Sequence, residues 1–221
     1  MRESHSTDEE FAALAQGAAL LGLSPSTTQL AMLLVLLDEL TIANTQVNLT
    51  AIRDRPGMLR KHLLDSLSVA PFLSGERIAD VGTGAGFPGL PLAIVHPERH
   101  FTLIESTGKK ARYVARTAER LGLGNVEVVA QRAEHYRPPQ GFDAVLARAV
   151  CALAALAENA GHLCAPGGRL LAMKGRRPDG EISSLGGGWR VLAVHRLHVP
   201  GLDEQRHLVE ICRAKPRSSA A

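Results

Sequence analysis

The stretch at 77–89, RIADVGTGAGFPG, leaves this chain few architectures to choose from. A short apolar run ends at Asp80 and Val81, glycines then alternate at Gly82, Gly84 and Gly86, and Pro88-Gly89 leads into the apolar run LPLAIVH. The order is strand, tight glycine loop, helix. Glycine has no Cβ and tolerates positive φ, so such a loop lets backbone approach a ligand closely. The helix behind it offers free N–H groups and the positive end of its dipole, with Pro88 or Pro91 suited to its first turn. The expected ligand is a nucleotide-like cofactor.

Downstream the rhythm repeats. Strand-like runs at 77–81, 101–105, 126–130, 142–147 and 168–174 alternate with helical stretches near 88–96, 107–121 and 150–163. Such alternation implies right-handed crossovers and a parallel sheet covered on both faces. The runs RVLAVHRLHV (190–199) and RHLVEICR (206–213) break the rhythm, because the short Pro-Gly turn at 200–201 suits an antiparallel hairpin. A parallel sheet that closes on an antiparallel strand is the topology of class I methyltransferases. The expected fold class is therefore α/β, Rossmann-like, with a mostly parallel seven-stranded sheet, an antiparallel last strand and an N-terminal helical extension.

That extension reads as three helices. The first covers 8–22, with Phe11, Leu14, Ala18 and Leu21 on one face. Ser24-Pro25 reads as cap and first-turn proline of a second, which runs to Ala43 and is apolar around most of its circumference. A third is expected over 56–72, after a polar connection. The expected domains are a helical cap at 1–72, a cofactor-binding domain at 73–215 and a disordered tail at 216–221. The cap packs over the sheet, and a second role in holding substrate stays open.

Composition narrows the partners. With 221 residues, 45% hydrophobic and 21% charged, the chain is long enough for a sizeable core and is not of the disordered class. A formal charge of +3 permits a nucleic-acid partner without demanding one. Residues 1–40 hold Arg2 against six acidic residues, so the basic excess lies in the part that carries the glycine loop. Cys151, Cys164 and Cys212 lack metal-site spacing and read as small apolar residues in a reducing compartment, with no metal. The polar start MRESHSTDEE is no signal peptide, and LAMLLVLL at 30–37 is too short to span a bilayer. A cytoplasmic protein without membrane contact is expected.

In an open α/β sheet, ligands bind outside the carboxyl ends of the strands. The first end carries Asp80 and the loop. The second carries Glu105, Ser106 and Thr107, where an acid can accept both hydroxyls of a ribose. The third leads to Ala133 and Glu134, placed to edge an adenine. The fourth carries Arg148, and the fifth Lys174, Arg176 and Arg177. Gly84, Gly86 and Gly89 also fit G-x-G-x-x-G, with Glu105 beyond at a distance suited to NAD. The run Asp80-x-Gly82-x-Gly84-x-Gly86 suits S-adenosylmethionine, with Asp80 helping to receive its cationic amino-acid end. The glycines alone leave both cofactors open; the closing hairpin favours the second.

The blocks VGTGAGFPGLPLAIVHP, FTLIEST followed by GKKARY, QRAEHY, ARAV and LLAMKG, preceded by NLTAIRD and KHLLDSL, resemble the bacterial RsmG (GidB) family. The resemblance runs over residues 48–175. It implies an S-adenosyl-L-methionine-dependent methyltransferase acting on guanine N7 of 16S ribosomal RNA. It implies cofactor contacts at Gly82 and Phe87, beside Gly84 and Gly86 of the same loop, at Glu105, Ser106 and Thr107, at Ala133 and Glu134, and at Arg148. Some members carry Asp where this chain has Glu105, and either carboxylate accepts hydroxyls.

Guanine N7 has a free lone pair and no proton, so its methylation needs positioning and electrostatics rather than a general base. After the fourth strand there is no Asn/Asp-Pro-Pro-aromatic element and no Pro-Cys nucleophile; Arg148 stands there as the candidate catalytic residue. A bare cation beside an incipient cationic purine is unfavourable, so Arg148 is expected to aim at a carbonyl, a phosphate or the cofactor carboxylate. Three basic groups are candidates for RNA. Lys174, Arg176 and Arg177 stand first, followed by Arg53, Arg55, Arg60, Lys61 and His62. Lys109, Arg112, Arg116 and Arg120 form a stripe that reads as well as a solvated helix face. His62 reads equally as a buried helix histidine. With 4% aromatic residues, shape and phosphate recognition fit better than base stacking. The expected partner is 16S rRNA or the small ribosomal subunit, met by a monomer.

Overall fold

Seven strands form one sheet: β1 (Arg77–Val81), β2 (His100–Ile104), β3 (Val126–Val129), β4 (Phe142–Arg148), β5 (Cys164–Lys174), β6 (Trp189–Leu197) and β7 (Arg206–Arg213). The structure, a computed structural model, describes residues 2–214, so the tail expected at 216–221 lies outside the described residues. The strand order is β3-β2-β1-β4-β5-β7-β6. Strands β1 to β5 pair in parallel, while β7 is antiparallel to both β5 and β6. Only residues 198–205 join β6 to β7, too few for a crossover, so the last two strands must turn back on themselves. The chain steps outward from β1 to β3 and then returns to β4. The switch point therefore lies between β1 and β4, at the carboxyl end of the glycine-loop strand.

The amino-terminal helices are α1 (Arg2–Leu20) and α2 (Thr27–Ala43). Ser26, not Ser24, caps α2. The Gln29 N–H donates to Ser26 Oγ at 3.2 Å, and the Ser26 N–H donates to Gln29 Oε1 at 2.8 Å. This reciprocal pair satisfies two backbone donors at once, which outweighs a proline placed for the first turn. Gln29 Nε2 also donates to the Ile94 carbonyl at 2.8 Å, tying the cap to the sheet-covering layer. Helix α2 buries Leu30, Leu33, Leu34, Leu36, Leu37 and Leu40, while Val35 and Ile42 of its apolar circumference stay exposed.

The single helix expected over 56–72 is broken into pieces. Asp54 accepts the Gly57 N–H at 2.7 Å and starts α3 (Arg55–Met58). A π-helical turn follows at Leu59–Leu64, then α4 (Asp65–Leu67) and a 3₁₀ turn at Ala70–Phe72. A π turn holds one more residue than an α turn and so re-aims the side chains that follow. Arg55 is a structural cation: its Nε meets Glu10 at 2.9 Å and its Nη1 meets Asp38 at 2.7 Å, joining α3 to both earlier helices.

Helices α5 (Gly89–Val95) and α6 (Gly108–Arg120) cover one face of the sheet, and α7 (Leu153–Ala160) and α8 (Asp179–Ser183) the other. The cap and the first face share one apolar cluster, in which Leu33, Leu37, Leu63 and Leu67 join Leu90, Leu103 and Leu171. The opposite cluster joins Phe142, Val145, Leu170 and Val209 to Leu153 and Leu156 of α7. Burying β1 between the two layers explains why Ile78, Ala79 and Val81 run without polar alternation, Asp80 being the one buried charge among them.

Candidate active site

The glycine loop is held from below and from the side. Gly82, Gly84 and Gly86 have φ of +65°, +62° and +89°, conformations that side-chain-bearing residues rarely adopt. Asp80 lies fully buried beneath them. Its Oδ2 accepts the Thr83 hydroxyl at 2.6 Å and the Gly89 N–H at 2.9 Å. Burial pushes its carboxyl up to about 6, against the downward pull of Thr83 and Gly89. Asp80, like Glu105, lines neither cavity described below. It is a strut that fastens β1 to the first turn of α5. Glu105 holds the loop from the next strand: its Oε2 accepts the Gly84 N–H at 3.0 Å and its Oε1 accepts the Thr107 N–H at 2.7 Å.

Two cavities meet at Gly82. A cleft of about 530 Å³ is walled by Gly82, Gly84, Phe87 and Arg148 on the sheet side and by His62 and Asp65 on the cap side. A smaller cavity of about 280 Å³ is walled by Ser106, Ala133, Glu134, Val150 and Cys151. The expected cofactor residues thus divide between the two, with Gly86, Glu105 and Thr107 supporting the walls. The segment at 149–151 stands between the cavities. Ala149 has φ of +55°, and a methyl of Val150 lies over Gly82, 2.8 Å from where a Cβ there would be.

Lys174 anchors that segment. Its ammonium donates to the Cys151 carbonyl at 2.7 Å and to Glu181 Oε2 at 2.8 Å, and the same oxygen accepts the Leu153 N–H at 2.7 Å. Lys174 borders the larger cleft, with its ammonium held by Cys151 and Glu181 inside the protein. Arg177 pairs with Asp179 at 2.7 Å, leaving Arg176 of that group exposed.

On the cap side His62 is buried. Its Nε2 shares a hydrogen bond with Thr50 Oγ1 at 2.9 Å, and its ring stacks on Phe87 at 4.9 Å between centroids. Burial, then the nearby Arg148 charge, holds its pKa down to about 4, so the imidazole is neutral in ordinary buffers. Arg148 Nη1 donates to the Lys61 carbonyl and to Asp65 Oδ2, both at 3.2 Å. Both of these partners of Arg148 belong to the protein itself, a main-chain carbonyl and a carboxylate. The other oxygen of Asp65 accepts Arg206 Nε at 3.0 Å. Asp65, Arg206 and His207 all wall the cleft without having been singled out from the sequence. In KHLLDSL the three-residue spacing of His62 and Asp65 did hint at a shared face; the last strand carried no such hint.

The basic stripe on α6 is elsewhere. Lys109, Arg112 and Arg116 lie exposed on that helix, and Arg120 pairs with Glu39 at 3.1 Å. Lys109 does not wall the cleft. Burial pushes the Cys164 thiol up to about 12 and raises that of Cys151, as for inert thiols. Among the described residues no group of three His, Cys, Asp or Glu side chains is placed to hold a metal ion, and no helix is long and apolar enough to cross a membrane.

The two-lobed cavity fits S-adenosylmethionine. Nothing but the Gly82 carbonyl, at 3.9 Å, lies near where a Cβ of Gly84 would be, so the loop backbone is open to close approach. Each Glu105 oxygen holds one N–H and keeps a lone pair for a hydroxyl.

Comparisons with known proteins agree with this geometry. The family model GidB, described as rRNA small subunit methyltransferase G, matches residues 29–209. The Ribosomal RNA small subunit methyltransferase G of Saccharophagus degradans is 45% identical over 208 residues, covering 94% of this chain and 93% of that one. That of Xanthomonas campestris pv. campestris is 50% identical over 168 residues, covering 76% and 79%. Among solved structures, the glycopeptide N-methyltransferase MtfA in complex with S-adenosyl-L-homocysteine superimposes with a TM-score of 0.61 at 11% identity, over 69% of this chain and 87% of that one. That likeness speaks to the fold. The sequence matches reach further, and by them the chain belongs to the GidB family of rRNA small subunit methyltransferases G.

Proposed function

We propose that this protein transfers a methyl group from S-adenosylmethionine to N7 of a guanine in 16S ribosomal RNA. The observation that carries the reading is the pair of cavities joined at Gly82, one walled by the expected adenosine contacts and the other open toward the cap. S-adenosylmethionine supplies an electrophilic methyl group on a sulfonium sulfur. Ser106, Ala133 and Glu134 bound the lobe for the adenosine, and Glu105 accepts its ribose hydroxyls. Gly82, Gly84 and Phe87 border the lobe that takes the cofactor's amino-acid end and, toward the cap, admits the guanine.

Arg148 acts as a positioning donor in this reading. Its charge is offset by Asp65, which removes the conflict between a bare guanidinium and a purine that becomes cationic. The neutral His62 adds no charge to that conflict, and its stack with Phe87 gives the cleft a flat, dry wall that keeps water from the reacting atoms. The N7 lone pair needs no proton removed, so these residues have only to orient and to shield. The walls of the cleft come from one chain, which supports action as a monomer, and an rRNA substrate supports a cytoplasmic protein.

The test is transfer of labelled methyl groups to small-subunit RNA, naked and within subunits, with the modified nucleotide mapped. Label at a guanine N7 is the expected outcome. Label on neither RNA form, or on small metabolites instead, overturns the reading.

A further inference from the structure

At the rim of the larger cleft, one carboxylate bridges two cations brought together from distant parts of the chain. Glu204 Oε1 meets Lys61 Nζ at 2.6 Å, and Glu204 Oε2 meets Arg206 Nη2 at 2.8 Å. Lys61 comes from the π-helical turn, Arg206 opens β7, and Glu204 lies in the loop before it. Both cations wall the cleft, whereas Glu204 stands outside it, half exposed. We propose that Lys61 and Arg206 form a binding site for one backbone phosphate of the RNA substrate, and that Glu204 is the internal anion which that phosphate displaces. The proposal rests on the RNA-methyltransferase reading above and names the residues that seat the substrate there.

Four features support it. A carboxylate that gives one oxygen to each cation has the two-point geometry of a phosphodiester, whose two non-bridging oxygens can take the same pair of donors. The Arg206 guanidinium is already fixed, since its Nε donates to the buried Asp65 at 3.0 Å and its Nη1 to the Gln205 carbonyl at 2.9 Å. An arginine held this way loses little further freedom when it binds an anion. Glu204 is half exposed, and ion pairs open to solvent contribute little, so exchange of this carboxylate for a phosphate is not strongly opposed. Finally, Lys61, Arg148 and Arg206 face the two carboxylates of Asp65 and Glu204, leaving one positive charge; swinging Glu204 away leaves two. Displacement therefore raises the attraction for RNA where a nucleotide enters the cleft. The two cations also hold the Glu204 carboxyl below its usual range, so it remains an anion that competes.

The test measures binding of the full-length protein to a small-subunit rRNA fragment that the wild type methylates, between about 50 and 200 mM salt. Glu204→Gln is expected to tighten binding by about three- to tenfold. Lys61→Ala is expected to weaken it and to lower the salt slope by about one. In the double variant the gain from Glu204→Gln should shrink, because only Arg206 is then left for Glu204 to occupy. Asp203→Asn, the same charge change one residue away, should leave affinity nearly unchanged. Cofactor affinity by calorimetry should be equal in all variants, which confirms an intact fold. A gain undiminished in the Lys61→Ala background, or that Asp203→Asn matches, means general electrostatics and overturns the site. No change with Glu204→Gln also overturns it while the methyltransferase reading stands. A wild type that neither binds nor methylates the RNA sinks both.

Discussion

His62 lies against Phe87 with ring planes inclined by only 26°, so a titratable ring forms part of an apolar wall. Burial and then Arg148 hold its pKa at about 4, below the 6.5 of a free histidine. As pH falls, the unfolded chain therefore takes up the proton first. Stability should drop as pH falls from 6.5 toward about 4 and level off below, with a total of about 3 kcal/mol. His62→Leu lacks this dependence. Urea unfolding of both proteins across the window checks it, and a pH-independent difference between them contradicts a neutral His62.

Arg148 supplies part of that depression, so Arg148→Leu should raise the His62 pKa from about 4. The rise is partial, because desolvation is the larger cause. Following the imidazole Cε1 proton by NMR gives the midpoint directly. An unmoved midpoint means the two groups are not coupled. The same variant should lose most methyl transfer.

Asp80 has the opposite sign. Its carboxyl titrates at about 6 against 3.8 when unperturbed, so the folded chain holds the proton longer. Its contribution is most favourable below 3.8 and is lost as pH rises through about 6, by about 3 kcal/mol. In Asp80→Asn the amide oxygen can still accept from Thr83 and Gly89. The variant should gain stability relative to wild type as pH climbs through that window. Denaturation midpoints that keep a constant gap from wild type would refute the buried-acid assignment.

Alanine at the loop glycines should sort by what the new methyl meets. At Gly84 it meets little, so the cost is the positive φ alone, about 1 kcal/mol. At Gly86 it also presses on Leu90, 2.4 Å from a Cδ. At Gly89 φ is ordinary, but the methyl would lie 2.2 Å from Leu103 Cδ2 and 2.9 Å from Asp80 Oδ2, inside the core. Melting temperatures should fall from Gly84→Ala through Gly86→Ala to Gly89→Ala, and a reversed order would show that backbone strain outweighs packing.

Glu105→Gln should weaken S-adenosylmethionine binding by about tenfold or more while the protein stays folded. One amide oxygen cannot serve both the Gly84 and Thr107 N–H groups and a ribose as well. Calorimetry reads this without turnover, and wild-type affinity in the variant would remove Glu105 from the site.

The sequence made the sheet legible because β1 is buried on both faces, so its residues after Arg77 run apolar without alternation apart from Asp80 and lead straight into the glycines. Local capping was less legible. Ser24 and Ser26 both precede a helical run, and only the partner at Gln29 decides between them. The π turn at Leu59–Leu64 has no residue signature, since its sequence, LRKHLL, suits an α-helix equally well. Charges were visible but their partners were not: Lys174 reads as a free cation until Glu181 folds back onto it. Asp80 and Glu105 both end or follow strands, yet one turns under the loop and the other beside it, and spacing does not separate those outcomes.

The bond between Asp65 and Arg206 spans 141 residues, and β7 enters the sheet between β5 and β6 rather than at its edge. A ribosome delivers the glycine loop, Glu105 and Arg148 long before it delivers Arg206. A growing chain can thus own its cofactor residues while one wall of the substrate cleft has not yet been synthesised. Translation order makes the cleft the last part of the protein to mature, and a chain that stops early would keep the cofactor residues but lack that wall.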